Sequence, residues 1–206
     1  MKIAPLFEQV LNENVSGKHL VVVDVQPEYA DGFGNLSSQL AQFINEHMPE
    51  LDRITFLYNG AETLGMIELN EYQNWWYEEG LEEDIAFNAH YYDKGYAFFR
   101  YCMDEGIDED SVTNLVRHMI SNDVHDSRDL GDEFWNGFVE KYGDEDVRDL
   151  VEFSDDALWI PDLMDELKGY GNIVICGGGV NECLKEVEIA LNALDKPYTT
   201  ISQYTY

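Results

Sequence analysis

The residue best suited to chemistry in this sequence is Cys183, which follows a glycine-rich turn and stands where a helix is predicted to begin. The turn, GGGVNE, comes after the short apolar run NIVIC and leads into CLKEVEIALNAL, in which apolar residues recur at helical spacing. Unpaired N–H groups and the positive end of the helix dipole favour a thiolate there, and the thiolate is the nucleophilic form. The glycines can also aim backbone N–H groups at a developing oxyanion. The pattern predicts a nucleophile elbow, although a small buried cysteine beside a tight turn fits the local motif equally well.

Two charged residues have types that would support such a nucleophile. Asp24 stands at the end of the apolar run HLVVVDVQ, and Lys94 lies in DKGYAFFR. A carboxylate can take the proton of a thiol, and a nearby ammonium lowers the energy of both anions. Taken singly, an Asp at a strand end is usually a cap or turn residue, and a lysine is usually solvated. Their chemistry therefore depends on a fold that places them together.

The elements that must position these residues can be predicted from apolar runs and helical spacing. The runs HLVVVDVQ and RITFLY are continuous rather than alternating, which is typical of parallel strands covered on both faces. Three or four strands alternate with helices, so the sequence predicts an α/β fold with a mostly parallel central sheet. Ligands bind such sheets at the carboxyl ends of the strands, where Asp24, the loop after Tyr58 and the turn before Cys183 are expected. The predicted strands are 19–26, 53–58, 172–176 and 196–202, and the predicted helices are 36–48, part of 62–80, 111–120, 132–142, 159–171 with Pro161 in its first turn, and 183–194.

The charge of the chain limits its partners. Its 206 residues include 42 Asp or Glu and 12 Lys or Arg, which gives a formal net charge of −30. Phosphates would be repelled from nearly every face, so a conventional nucleic-acid surface and binding to anionic membranes are excluded. Hydrophobic residues make up 45% of the chain, enough for a packed core, so a single folded domain spanning 1–206 is predicted. The charge suits solubility or a salt-rich cytoplasm, and the alternative is an acidic face that engages a basic partner.

Compartment and metal content are also predicted from residue usage. No apolar run reaches about 18 residues, and the N-terminal segment carries acids where a signal peptide needs an apolar stretch. Cys102, Cys176 and Cys183 are odd in number and lack metal-type spacing, which favours reduced thiols and a cytoplasmic location. The histidines show no ligand spacing either, so neither a metal nor another cofactor is expected.

Three segments together resemble the isochorismatase-like cysteine hydrolases, the superfamily that includes nicotinamidases, N-carbamoyl amidases and isochorismatases. In that family the first strand is followed by Asp-x-Gln, as in LVVVDVQPEYA with Asp24 and Gln26. The family's lysine precedes an aromatic residue, a small residue and a phenylalanine, as Lys94 does in DKGYAFFR. The nucleophile follows a glycine-led turn and opens an apolar helix, as Cys183 does. The order Asp, Lys, Cys is also that of the family.

The resemblance implies a three-layer α/β/α fold in which Asp24 is the general base, Lys94 a cation beside it and Cys183 the attacking thiolate. By matching position it implies a cis peptide between Gly178 and Gly179, with the N–H groups of Gly179 and Cys183 forming the oxyanion hole. It also makes a homo-oligomer an expectation. Six residues near the predicted pocket mouth would contact a small-molecule substrate, with core packing as the alternative for most of the aromatic ones; they are Gln26, Tyr29, Phe33, Tyr58, Tyr96 and Phe98.

The chain departs from the family pattern at three places. Metal-binding members carry Asp-x-His after the second strand, where this chain has YNGAET, so a nicotinamidase proper is disfavoured. Glu182 places an acid directly before the nucleophile, which would raise the pKa of Cys183 if the side chain pointed inward. The segment from Lys94 to Cys183 is long for the family, and the excess is predicted to be a helical acidic insertion at about 104–156.

The leading functional hypothesis is a cysteine hydrolase that cleaves a small-molecule C–N bond, of amide or carbamoyl type, through a covalent intermediate. A second hypothesis is a catalytically silent relative whose acidic surface binds a basic partner. A third is a non-hydrolytic isochorismatase-type or redox role, since one fold hosts several chemistries. The net charge of −30 makes a neutral amide an easier guest than an anionic substrate.

Overall fold

The centre of the protein is one parallel β-sheet, seen in a computed structural model that describes residues 17–62, 64–94, 106–124, 130–143, 147–148 and 163–206. The sheet has five strands in the order β3-β2-β1-β4-β5, and every neighbouring pair is parallel. The prediction of an α/β fold is confirmed, with helices flanking an all-parallel central sheet, consistent with a three-layer α/β/α arrangement. The strands are β1 (His19–Val23), β2 (Arg53–Tyr58), β3 (His90–Asp93), β4 (Ile173–Gly177) and β5 (Tyr198–Thr200).

The register of the sheet brings the ends of three strands level with one another. Val23 of β1 pairs with Leu57 of β2 on one side and with Gly177 of β4 on the other. After β1 the chain adds β2 and β3 outward in one direction, and it later returns to add β4 and β5 in the other. The order therefore reverses between β1 and β4. Such a switch point leaves a crevice outside the carboxyl ends of the strands, which is where α/β proteins bind ligands.

Two compact units can be distinguished along the chain, and the first contains the sheet. Alternate strand residues such as Leu20, Val22 and Phe56 pack with Ile44 and Trp76 of the helices, forming a continuous apolar core. The intervening residues of β1 are also fully buried, so neither face of that strand meets solvent. The helices of this unit are α1 (Ala30–Phe33), α2 (Leu36–His47), α3 (Leu69–Glu78), α4 (Glu83–Asn88) and the first turn of α8 (Cys183–Ala193), with single 3₁₀ turns at Pro27–Tyr29, Met48–Glu50 and Ser202–Tyr204.

The second unit is helical where it is described, and it contains most of the acidic insertion. Its elements are α5 (Glu109–Ser121), α6 (Asp132–Tyr142), α7 (Leu163–Lys168) and the rest of α8. Asp108 caps α5, accepting hydrogen bonds from the N–H and hydroxyl of Ser111 at 3.1 and 2.8 Å, and these bonds lower its pKa. His118 of α5 lies against Phe134 and Phe138 of α6. Both helices predicted for this segment are therefore confirmed.

The structure adds elements that the sequence patterns did not predict. Strand β3 and helix α4 were not anticipated, and the helix expected somewhere in 62–80 begins only at Leu69. Pro161 lies outside the described residues, so its predicted place in a first helical turn is untested. That residues 1–206 form a single domain stays a prediction. Among the described helices, none has the length and apolar content needed to cross a membrane.

Candidate functional site

Asp24 and Lys94 form a buried ion pair at the carboxyl edge of the sheet. Asp24 directly follows β1 and Lys94 directly follows β3, so Lys94 reaches across the end of β2. Its Nζ lies 2.9 Å from Asp24 Oδ2, and neither side chain is exposed. The Lys94 N–H donates to the carbonyl of Tyr58 at 2.9 Å, which fixes the start of the loop. Burying either charge without the other would cost roughly several kcal/mol, so the burial of each side chain depends on its partner.

The backbone of Asp24 is held in a conformation that few residues adopt. Its φ is 45°, in the left-handed region, where Asp is one of the better-tolerated non-glycine residues. The Asp24 N–H donates to the carbonyl of Leu57 at 2.9 Å. Its Oδ1 is buried and accepts no hydrogen bond from any described residue. One carboxylate oxygen is thus engaged by Lys94, and the other remains able to accept a proton.

Cys183 is the first residue of α8, is only 6% exposed, and forms no disulfide with another described residue. The carbonyl of Gly179 accepts hydrogen bonds from the N–H groups of Glu182 and Leu184, at 2.9 and 3.2 Å, which close the turn before the helix. Within the described chain, the Gly179 N–H donates no backbone hydrogen bond. Glu182 is exposed, so the side chain next to the nucleophile does not share its burial.

The expected cis peptide between Gly178 and Gly179 is absent, and this prediction was wrong. That bond is trans, as are the other peptide bonds of the residues described. The chain reverses instead through the left-handed conformations of Gly177 and Gly178, whose φ values are 79° and 58°. Glycine adopts such angles readily because it has no Cβ. The N–H of Gly179 keeps its place in the turn as a candidate oxyanion donor.

Substituting Gly177 by alanine is expected to lower the free energy of unfolding by about 2–4 kcal/mol. An alanine Cβ would lie 2.5 Å from the carbonyl oxygen of Val23 and 2.6 Å from Cγ2 of Val25, on a backbone with φ of 79°. Urea denaturation followed by circular dichroism measures the loss. Gly171→Ala, just before β4, is the matched control, since a Cβ there meets no atom within 4 Å. Equal losses for the two variants would contradict the prediction.

Polar residues after β1 and β2 form a hydrogen-bonded cluster beside the ion pair. Gln26 is fully buried, and its side-chain amide pairs with the backbone of Asn59, accepting from the N–H at 2.9 Å and donating to the carbonyl at 3.3 Å. Asn59 Nδ2 donates to the hydroxyl of Tyr29 at 3.1 Å, and that hydroxyl donates to the sulfur of Met66 at 3.4 Å. Gln26 and Tyr29 thus contribute to a cluster at the carboxyl ends of the strands, and their contact with a substrate stays a prediction. Asn59 was not among the predicted site residues, although its position directly after a strand is a usable signal.

The other predicted pocket residues are placed differently or lie outside the description. Tyr58 packs in the core, with its ring stacked 4.8 Å from that of Tyr72. Burial, and then the charges of Asp93, Glu62 and Glu68, raise the pKa of Tyr58 to about 12. Core packing, the alternative reading of these aromatic residues, is therefore what the structure shows for Tyr58. Tyr96, Phe98 and the side chain of Phe33 lie outside the described residues.

Tyr206 contacts the site although no motif pointed to it. Its hydroxyl donates to the carbonyl of Asp24 at 3.2 Å. Its N–H donates to the carbonyl of Gly178 at 3.2 Å, and its carbonyl accepts from the N–H of Val180 at 2.8 Å. A lone tyrosine after the last strand carries no sequence signal for such a role.

The surroundings of Cys176 differ from those of Cys183. Cys176 lies inside β4 with no exposed surface, and burial raises the pKa of its thiol. Cys102 lies outside the described residues. Among the residues described, no group of three or more His, Cys, Asp or Glu side chains is arranged to hold a metal ion.

A cavity of about 590 Å³ lies at the opposite edge of the sheet, where β2 and β3 begin. Its lining includes Arg53, Ile54, Glu82 and His90 and none of the predicted site residues. The amino ends of parallel strands are not where α/β folds bind their ligands. The carboxyl edge therefore remains the candidate site.

No protein-family model matches the chain, and no curated protein or solved structure was found to match it.

Proposed function

We propose that this protein is a cysteine hydrolase of the isochorismatase-like kind, which cleaves a small-molecule C–N bond of amide or carbamoyl type. The observation that carries the proposal is the buried ion pair between Lys94 Nζ and Asp24 Oδ2, 2.9 Å apart, at the sheet edge where the helix headed by Cys183 begins. A buried lysine and aspartate at a switch point are costly to retain. Charged groups that are buried beside a specific partner of opposite charge are concentrated at functional sites.

The proposed reaction has two halves. Asp24 Oδ1 accepts the thiol proton of Cys183, and the sulfur attacks the carbonyl carbon, so that an S–C bond forms and the carbonyl π electrons move to the oxygen. The N–H of Gly179 is a candidate donor to that oxyanion. When the oxyanion collapses, the C–N bond breaks, and the amine leaves with the proton held by Asp24. Water then attacks the thioester, releasing the acid and restoring the thiol. The ammonium of Lys94 stabilises the anionic forms throughout.

The proposed substrate is small and uncharged. The net charge of −30 repels anions, and Glu28 and Glu182 are exposed on the loops that carry the site residues. We also propose a cytoplasmic location, which keeps Cys183 reduced, and assembly into a homo-oligomer.

Cys183 is expected to react with limiting iodoacetamide at neutral pH at least about tenfold faster than Cys176, because Cys183, unlike Cys176, begins a helix and has Asp24 as its proposed base. Peptide mapping by mass spectrometry gives the modified fraction at each cysteine. Asp24→Asn and Lys94→Ala should lower the rate at Cys183 toward that of Cys176, in protein whose circular dichroism remains native. Equal labelling of the two cysteines in the wild-type protein would remove the basis of the mechanism.

Turnover is tested by screening simple amides, N-carbamoyl compounds and isochorismate against the wild-type protein and Cys183→Ser. The proposal requires ammonia, an amine or a carbamoyl product from at least one amide or carbamoyl compound, with the wild-type protein only. Turnover of isochorismate alone would replace the C–N reaction with a different hydrolysis. Activity that survives in Cys183→Ser would show that Cys183 is not the nucleophile.

A further inference from the structure

Tyr206 is joined to the candidate site by its backbone as well as by its side chain. The two backbone hydrogen bonds of Tyr206, to the Gly178 carbonyl and from the Val180 N–H, lie on either side of Gly179. The carbonyl of Gly179 is in turn held by the N–H groups of Glu182 and Leu184. The peptide that carries the candidate oxyanion donor is therefore fixed from both ends, and Tyr206 supplies one of these restraints.

The phenol of Tyr206 connects this turn to β1. Its ring packs against the apolar core and lies where a Cβ added at Gly32 of α1 would meet it at 3.7 Å. From there its hydroxyl donates to the carbonyl of Asp24 at 3.2 Å. Asp24 has the left-handed φ of 45°, so a bond to its carbonyl stabilises a backbone that the residue alone would not favour. The hydroxyl thus acts on the orientation of the carboxylate that pairs with Lys94.

The surroundings of the Tyr206 phenol keep it protonated. Burial, and then the charges of Cys183 and Asp24, raise the pKa of the Tyr206 phenol above its ordinary value. The hydroxyl therefore keeps its proton and its role as a donor across the pH range in which a cysteine hydrolase works. Tyr204, two residues earlier, has no hydrogen bond to Asp24 and packs instead on Phe43, with ring centroids 4.9 Å apart.

We propose that Tyr206 is a positioning residue of the site: its hydroxyl holds Asp24 in the conformation that aims the carboxylate at Lys94 and at the thiol of Cys183. This role rests on the proposed function, since it matters only if Asp24 serves Cys183. Tyr206 donates to the Asp24 carbonyl, and through that bond it acts on Asp24. The backbone bonds to Gly178 and Val180 keep the phenol in place.

The test compares Tyr206→Phe with Tyr204→Phe, the same substitution two residues away. Tyr206→Phe keeps the ring and both backbone bonds and removes the hydroxyl that donates to the Asp24 carbonyl. We expect alkylation of Cys183 by iodoacetamide at neutral pH to slow by about threefold to tenfold, the range for one lost hydrogen bond. The pH of half-maximal alkylation should rise with it. Tyr204→Phe should leave both quantities unchanged.

A double-mutant cycle with Asp24→Asn tests whether Tyr206 acts through Asp24. If it does, Tyr206→Phe slows alkylation in the wild-type background and adds nothing in the Asp24→Asn background. Independent, multiplicative effects would overturn the inference, and so would a Tyr206→Phe variant that reacts at the wild-type rate. Both outcomes apply only if Cys183 is alkylated faster than Cys176 in the wild-type protein. If the wild-type protein lacks that difference, the proposed function fails first, and the positioning role fails with it.

Discussion

Replacing Lys94 with methionine will lower the free energy of unfolding by about 3–5 kcal/mol. Methionine has a similar length and fills the space, but it leaves the carboxylate of Asp24 buried without a countercharge. Both side chains of the pair have no exposed surface, and their charged atoms are 2.9 Å apart, so water cannot replace the lost ammonium without a change in packing. Urea denaturation followed by circular dichroism measures the effect.

Asp24→Asn should also lower the free energy of unfolding, because it removes the carboxylate that pairs with the buried ammonium of Lys94. The double variant Asp24→Asn, Lys94→Met should lose less stability than either single variant, since neither charge is left uncompensated. Lys168→Met is the exposed control: Lys168 Nζ lies 2.6 Å from Asp165, with both side chains largely in water. That substitution should change stability by less than about 0.5 kcal/mol. A Lys94→Met variant as stable as Lys168→Met would contradict the prediction.

The same three variants separate stability from reactivity. The double variant regains stability, yet its Cys183 should still react slowly with iodoacetamide, because no carboxylate remains to take the thiol proton. A purely structural ion pair would give the opposite pattern, with reactivity at Cys183 following stability. The comparison therefore distinguishes an ion pair that activates Cys183 from an ion pair with a purely structural role.

Elements with continuous apolar runs were predictable from the sequence, and short or mostly polar elements were not. HLVVVDVQ and NIVIC were both predicted as strands, because each is a continuous apolar run. Such runs are typical of strands that are buried on both faces. Strand β3, His90–Asp93, was missed because its four residues are half-buried at the sheet edge and mostly polar or aromatic. Helix α4 was missed for a related reason, since its six residues are too few to show helical periodicity.

Parts of the candidate site were predictable from residue types at the ends of predicted elements. Asp24 and Cys183 were singled out by residue type and element boundary, and Lys94 by its residue type and the family resemblance. The structure pairs Asp24 with Lys94 at the sheet edge where Cys183 opens its helix. Tyr206 was not predictable, because its place depends on a tertiary contact between the chain after β5 and the turn after β4. The trans peptide bond before Gly179 was not predictable from the sequence either, since two consecutive glycines can form a tight turn with a cis or a trans bond.

Raising the NaCl concentration from about 0.01 M to about 1 M will raise the thermal unfolding midpoint, because the Debye length falls from about 30 Å to about 3 Å. The 12 basic residues can neutralise at most 12 of the 42 acids, so 30 acids repel one another in the folded state. Two such charges about 10 Å apart repel by about 0.4 kcal/mol in water without salt. Unfolding separates them, so screening favours the folded protein. Circular dichroism melts across the salt series measure the midpoint.

Two variants test whether repulsion is the cause of the salt effect. Glu78 ends α3 and Glu140 lies in the last turn of α6, and both are exposed at helix ends where the dipole disfavours a negative charge. Changing both to lysine moves the net charge from −30 to −30 + 4 = −26. The midpoint should rise at low salt and depend less on NaCl. Sucrose, which is excluded from protein surfaces but screens no charge, should raise the midpoints of variant and wild-type protein equally. A midpoint that stays level or falls as NaCl is added would show that repulsion among the acids does not limit the stability of the fold.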